Sequence, residues 1–180
     1  PLQAIGAIKI NQRNPDEIWV GTGEGNPRNS HNTGQGLYRS RDGGDTWELV
    51  GLEKTQNIHR IIVHRDNPDI VYVGAMGSIW GPNPERGVFR TEDGGKTWEH
   101  VLKVADGVGI GDFVVDPTNP DKLLAAMWEF ERDPWFFNSG GPKSGLYMTY
   151  DGGDAWVQRT AEDGLPKGDL GRIGLAIAPS

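Results

Sequence analysis

One eight-residue phrase occurs three times in this chain: Ser40-Arg-Asp-Gly-Gly-Asp-Thr-Trp47, Thr91-Glu-Asp-Gly-Gly-Lys-Thr-Trp98 and Thr149-Tyr-Asp-Gly-Gly-Asp-Ala-Trp156. A second phrase keeps the same time, as Asn14-Pro-Asp16, Asn67-Pro-Asp69 and Asn119-Pro-Asp121. Two interleaved markers with one period of roughly fifty residues constrain the chain to an array of a single supersecondary unit. In the second unit the apolar runs are Ile58–His64, Ile70–Met76, Gly87–Glu92 and Lys96–Leu102. Val, Ile, Tyr, Phe and Trp dominate them, and no segment sustains a helical period, so each unit reads as four short antiparallel strands. The 27 Gly and 12 Pro among 180 residues suit short elements joined by tight turns.

Four strands repeated at this spacing is the arithmetic of a β-propeller blade. The expected fold is all-β, with blade 1 over about 2–52, blade 2 over about 56–104 and blade 3 over about 108–160. The first strand of a next blade is expected over about 171–178, in Arg172–Ala178 (RIGLAIA). Pro179-Ser180 stand where another Asn-Pro-Asp turn would be due. Propellers close with roughly four to eight blades, so the chain reads as part of a larger ring, and the remaining blades are expected partners. The chain begins at Pro1 rather than Met, which suits either a removed leader or a fragment.

Lys plus Arg number 18 against 25 Asp plus Glu, a formal charge of -7, so the positive patch that a nucleic acid demands is not expected. With no cysteine, disulfides, thiolate metal sites and thiol catalysis are excluded. No apolar run approaches membrane-spanning length, and direct membrane insertion is not expected. No cofactor is implied. Gly21-Thr-Gly-Glu-Gly25 lacks the Lys-Ser/Thr ending of a phosphate loop, and no helix pattern follows it. His59 and His64 are predicted on opposite faces of one strand, and His31 and His100 belong to other elements, so no metal set is apparent.

The repeated phrase has its own local chemistry. Asp42, Asp93 and Asp151 precede the pairs Gly43-Gly44, Gly94-Gly95 and Gly152-Gly153, between a third and a fourth strand. A short carboxylate there accepts N–H bonds from the turn, and glycine supplies positive φ. Trp47, Trp98 and Trp156 then pack a broad ring against the blade. Ser/Thr-x-Asp-Gly-Gly-x-Thr-Trp resembles the Asp-box, or bacterial neuraminidase repeat (BNR). That repeat occurs in sialidases, family 74 xyloglucanases, sortilin-like Vps10 domains and photosystem II assembly-factor propellers. The context "NPDIVYVGAM…GVFRTEDGGKTW" resembles the Vps10/xyloglucanase branch more than sialidases, and the resemblance spans essentially the whole chain. It implies a structural turn at the blade periphery and an extracytoplasmic location, whether periplasmic, cell-surface or secreted. Catalytic and non-catalytic propellers share it, so it does not choose between them.

Topology predicts where a site would lie. In a meander, the first-to-second and third-to-fourth turns share one face, which puts the Asn-Pro-Asp turns and the Asp-boxes together. The long insertions Glu24–Gln35, Gly77–Arg86 and Glu129–Ser144 then share the other face. Aligned on the Asn-Pro-Asp register, Ile10, Val63, Val115 and Ile177 form one core-like column, and Ile8, Ile61, Phe113 and Leu175 another. A third column is irregular: Ala7, Arg60, Asp112 and Gly174. Arg172 stands opposite Ile5, Ile58 and Ile110. Arg60, Asp112 and Arg172 are thus placed near the axis on the long-loop face, as a channel-lining ion-pair network or as ligand contacts. Arg28, Trp80 and Trp135 are further candidate contacts; the loop aromatics, with Phe136 and Phe137, either meet a sugar or peptide or fold inward to cap the blades.

Two functions follow. One is a non-catalytic binding or scaffold module that meets a protein or glycan on its long-loop face. The other is a glycoside hydrolase in which Asp112 works with a second carboxylate from another blade. Asp112 is the sole catalytic candidate, at a place resembling that of a xyloglucanase catalytic aspartate. Sialidase activity is the weaker form, because Arg28, Arg60 and Arg172 do not match an arginine triad. A carboxylate facing Asp112 across an open cleft favours the hydrolase; an Asp112 locked to Arg60 favours the scaffold.

Overall fold

The computed structural model describes residues 4–178; the expected blade start near residue 2, and Pro179-Ser180, lie outside the described residues. The first sheet is β1 (Ile5–Ile10), β2 (Ile18–Thr22), β3 (Leu37–Ser40) and β4 (Glu48–Leu49), hydrogen-bonded in that order. The second repeats it with β5 (Ile58–Val63), β6 (Val71–Ala75), β7 (Gly87–Thr91) and β8 (Glu99–Leu102). The third runs β9 (Val108–Val115), β10 (Leu123–Arg132), β12 (Gly145–Thr149) and β13 (Val157–Arg159). All pairings are antiparallel, and no α-helix occurs among the described residues. β1, β5 and β9 lie side by side as the innermost strands. The sheets stack through two apolar seams, one centred on Trp19, Ile58, Ile61 and Val73, the other on Ile62, Tyr72, Phe113 and Leu123. This is the blade stacking of a propeller.

The corner phrase builds one turn three times over. The Ser40, Thr91 and Thr149 hydroxyls donate to Oδ1 of Asp42, Asp93 and Asp151 at 2.7, 2.8 and 2.6 Å. The same hydroxyls accept from the Gly44, Gly95 and Gly153 amides at 2.9–3.0 Å. The amides of Thr46, Thr97 and Ala155 close the turn onto each carboxylate at 2.9–3.0 Å. Gly94 and Gly95 hold φ of 71° and 91°, a region that a Cβ disfavours, and the other two pairs do the same. The Gly43, Gly94 and Gly152 amides donate to the Asp16, Asp69 and Asp121 carbonyls at 2.9–3.0 Å, fastening each corner to the Asn-Pro-Asp turn of its own sheet. Both sets of turns therefore lie on one face.

Several sequence expectations change in detail. The fourth strand of the second sheet starts at Glu99 rather than Lys96, because the Asp93 carboxylate captures the Lys96 and Thr97 amides. In the insertion expected over Glu129–Ser144, Glu129–Arg132 continue β10, and Phe130–Arg132 pair with an extra strand, β11 (Phe137–Ser139). Residues 172–178 form no strand, since no described segment pairs with them; their one ladder-like feature is the Gly141–Leu170 bridge just upstream. Ile8 and Ile10, expected in core columns, are 64% and 49% exposed, because no described sheet covers that side of β1.

The tryptophans pack across seams rather than on their own blades. Trp98 donates through Nε1 to the Val50 carbonyl of the first sheet at 2.8 Å. Trp156 likewise joins the seam with the second sheet, beside Phe113. Trp47, with no described sheet to meet on that side, is 44% exposed and bonds the Gly44 carbonyl.

Candidate functional site

Each innermost strand carries a register break in the same place, at Gly6, His59 and Gly111. A bulge re-aims the side chain that follows it, here Ala7, Arg60 and Asp112. Arg60 Nε donates to Asp112 Oδ1 at 2.8 Å across the gap between β5 and β9. The Phe113 amide donates to the same oxygen at 2.8 Å, and the Leu175 amide to Oδ2 at 2.9 Å. Burial pushes the Asp112 carboxyl up, but these donors outweigh it and hold it below its ordinary value. Asp112 is thus a fixed anion with both oxygens engaged.

Arg172 reaches the same place from the segment after the third sheet. One Nη bonds Asn26 Oδ1 at 2.9 Å, and the other lies 2.8 Å from His59 Nε2 and 3.4 Å from the Gly25 carbonyl. A guanidinium only donates, so Nε2 accepts and the His59 proton sits on Nδ1. Burial, with Arg60 and Arg172 alongside, pulls His59 down to about 4. His59, Gly25 and Asn26 escaped the sequence reading. The glycines at the matching places of β1 and β9 were the available sign that the register breaks there.

The three insertions meet on this face, opposite the corner turns. Asn29 accepts from Arg132 Nε at 2.8 Å and donates to the Pro134 carbonyl at 3.2 Å, so the first sheet's loop clasps the β10–β11 hairpin. The Arg132 amide donates to Ile79 of the second sheet's loop. Arg28 makes no contact with Arg60 or Arg172. It is locked in its own loop on Glu24, at 2.9 and 2.6 Å, and holds that carboxyl at about 2. The aromatics divide: Phe137 packs inward with Trp128 and Phe130, whereas Trp135 is 86% exposed at the hairpin tip, Phe136 58% and Trp80 44%. Of these rings, which the sequence leaves either to meet a ligand or to fold inward, only Phe137 folds inward.

Two sets of arginines were also missed. Arg86 is fully buried with no carboxylate partner, its guanidinium donating to the carbonyls of Gly107, Phe130, Ser78 and Gly81 and stacking over Phe130. Burial pulls it down to about 10. Arg39 and Arg90, each one residue before the corner phrase, reach across a seam to the next sheet's corner, at the Gly94 and Gly152 carbonyls, 2.8 and 3.0 Å. The third copy has Met148 at that place.

Stacked four-stranded meanders with an axial ion-pair column define a β-propeller domain. Residues 35–163 match the Sortilin-Vps10 family, described as sortilin, neurotensin receptor 3. That is more than half of the chain, and the protein belongs to this family. It is also similar to the oligoxyloglucan-reducing end-specific xyloglucanase of Emericella nidulans, 22% identical over 161 residues, covering 86% of this chain and 18% of the relative. Among solved structures, an ancestral GH74 enzyme superposes with a TM-score of 0.63 at 16% identity, over 88% of this chain and 19% of that one. The GH74 enzyme of Niastella koreensis gives 0.60 at 19% identity, over 84% and 20%. At these identities the likeness is one of fold, and the chain spans about a fifth of the length of each relative.

Proposed function

We propose that this chain is a non-catalytic part of a larger propeller and acts outside the cytoplasm as a binding or scaffold module for a protein or glycan. The observation that carries this reading is the state of Asp112, whose two oxygens are occupied by Arg60, Phe113 and Leu175. A glycosidase acid needs a raised pKa, and its partner carboxylate must face it across the bond to be cleaved. Asp112 is instead held below its ordinary value, which does not suit the acid's place in such a pair. The ligand meets the long-loop face, where Trp135, Phe136 and Trp80 supply exposed rings for stacking against sugar or peptide. Further blades cover the outer side of the first sheet, where Ile5, Ile8 and Trp47 stand exposed in the positions that the second sheet uses at its seam with the first.

The rival reading, a xyloglucanase-like hydrolase, is favoured by the activity of the similar xyloglucanase and by the placement of Asp112 after a bulge on an innermost strand. Glycan and peptide binding, measured on the parent propeller and on its Asp112→Ala and Trp135→Ala variants, tests both. Binding that falls with Trp135→Ala, without product release, supports the module. Oligoxyloglucan cleavage abolished by Asp112→Ala overturns it.

A further inference from the structure

At the other end of the innermost strands, on the face of the Asn-Pro-Asp turns, lies a cavity of about 470 Å³. None of the residues of the Arg60–Asp112 column or the long loops line it. Its floor is apolar, with Ile10, Ile62 and Val115 from the ends of β1, β5 and β9. Its rim carries Lys9, Arg13 and Arg65 against one carboxylate, Asp116. That carboxylate is already engaged, with Lys122 Nζ at 2.8 Å and the Thr118 amide and hydroxyl at 2.8 and 2.7 Å. The two guanidiniums share Asp66, Arg13 at 3.0 Å and Arg65 at 3.1 and 3.3 Å. Arg65 also donates to the Pro117 carbonyl at 2.9 Å. Lys9 has no ion-pair partner among the described residues. The one uncommitted charge at an apolar hollow is therefore positive, on a chain whose net charge is -7.

We propose that this cavity binds a small amphipathic carboxylate, with its aliphatic body on the Ile10–Ile62–Val115 floor and its head on Lys9. Small-molecule sites are commonly an apolar wall with a few convergent polar groups that fix orientation. A single free ammonium suits a monoanion, whereas a polyphosphate recruits several cations and bidentate forks, and the forks here are already spent on Asp66. With every nearby carboxylate paired, a cationic ligand has no anchor. Because the attraction is local and partly solvated, binding weakens with added salt. This site is separate from the long-loop reading, and its failure would leave that reading intact.

The test titrates octanoate, octanol and octylammonium separately into the isotopically labelled parent propeller while backbone and methyl resonances are followed. Octanoate gives saturable shifts at Lys9, Ile62 and Val115 and binds about tenfold more tightly than octanol, the worth of one partly buried ion pair. Lys9→Gln brings octanoate down to the octanol level with the rest of the spectrum unchanged. Ile10→Ser, at a half-exposed position that folding tolerates, weakens octanoate and octanol together. Octanol binding as tightly as octanoate, undiminished octanoate binding in Lys9→Gln, shifts confined to the Ile8–Trp47 side of the first sheet, or no saturable shift at all would each overturn the proposal.

Discussion

The imidazole of His59 accepts a hydrogen bond from a guanidinium, so it holds Arg172 only while neutral. Its folded value is about 4 against an ordinary 6.5, so between those pH values the unfolded chain binds a proton that the folded chain refuses. Stability therefore rises from pH 4 to 6.5, by on the order of 2 kcal/mol, and is flat above that window. Urea unfolding at a series of pH values measures this, and His59→Gln, which keeps an acceptor without titrating, removes the slope. The corner carboxylates behave in the same sense at lower pH. The Thr46 hydroxyl and amide and the Ser40 hydroxyl hold Asp42 at about 2, so its contribution is complete above about 3.8 and is lost as pH falls toward 2. Within the set, Asp93→Ala lowers the melting temperature more than Asp151→Ala, because Asp93 also accepts from a threonine hydroxyl and Asp151 faces Ala155. Ala155→Thr raises it. The conformational role of these residues could be read from the sequence, since Asp-Gly-Gly has few other uses. The neutral state of His59 could not, because it depends first on burial in the assembled fold and then on Arg60 and on Arg172, the latter 113 residues away.

At the scale of elements, the seams set the energies. Trp98 spans one and Trp47 spans none, so Trp98→Ala costs about 3 kcal/mol and Trp47→Ala less than about 1 kcal/mol in chemical denaturation. The sequence treats the two residues identically; only their neighbours separate them. Arg39 pairs with Glu17, which is 5% exposed, while reaching the Gly94 carbonyl. Arg39→Ala strands that buried carboxylate and costs about 3 kcal/mol, and adding Glu17→Gln restores part of the loss. The strands themselves were legible, because alternation and turn residues are local: β5, β6 and β7 fall within a residue of the expected runs. Fourth strands were overextended where a side chain competes for backbone amides. The β10–β11 hairpin stayed hidden because Trp135 and Phe136 reverse the usual inside–outside pattern at its tip.

For the whole molecule, two opposite rims follow from chain direction alone, which is why the sequence separates tight corners from long insertions correctly. The contents of each rim required coordinates, since the Asn29–Arg132 clasp and the Lys9 hollow join residues from different repeats. The outer side of the first sheet exposes Ile5, Ile8 and Trp47. The isolated chain therefore self-associates in sedimentation velocity, and Ile8→Asp suppresses this without altering its β-sheet circular dichroism. Arg39 and Arg90 each tie one sheet to the next, while Met148 has no charge with which to continue the series. Mechanically, the molecule is laced along one rim and the lacing stops at the third sheet. A further blade packed there would do without this rung, so dissolved salt would have one charged tie fewer to loosen at that joint.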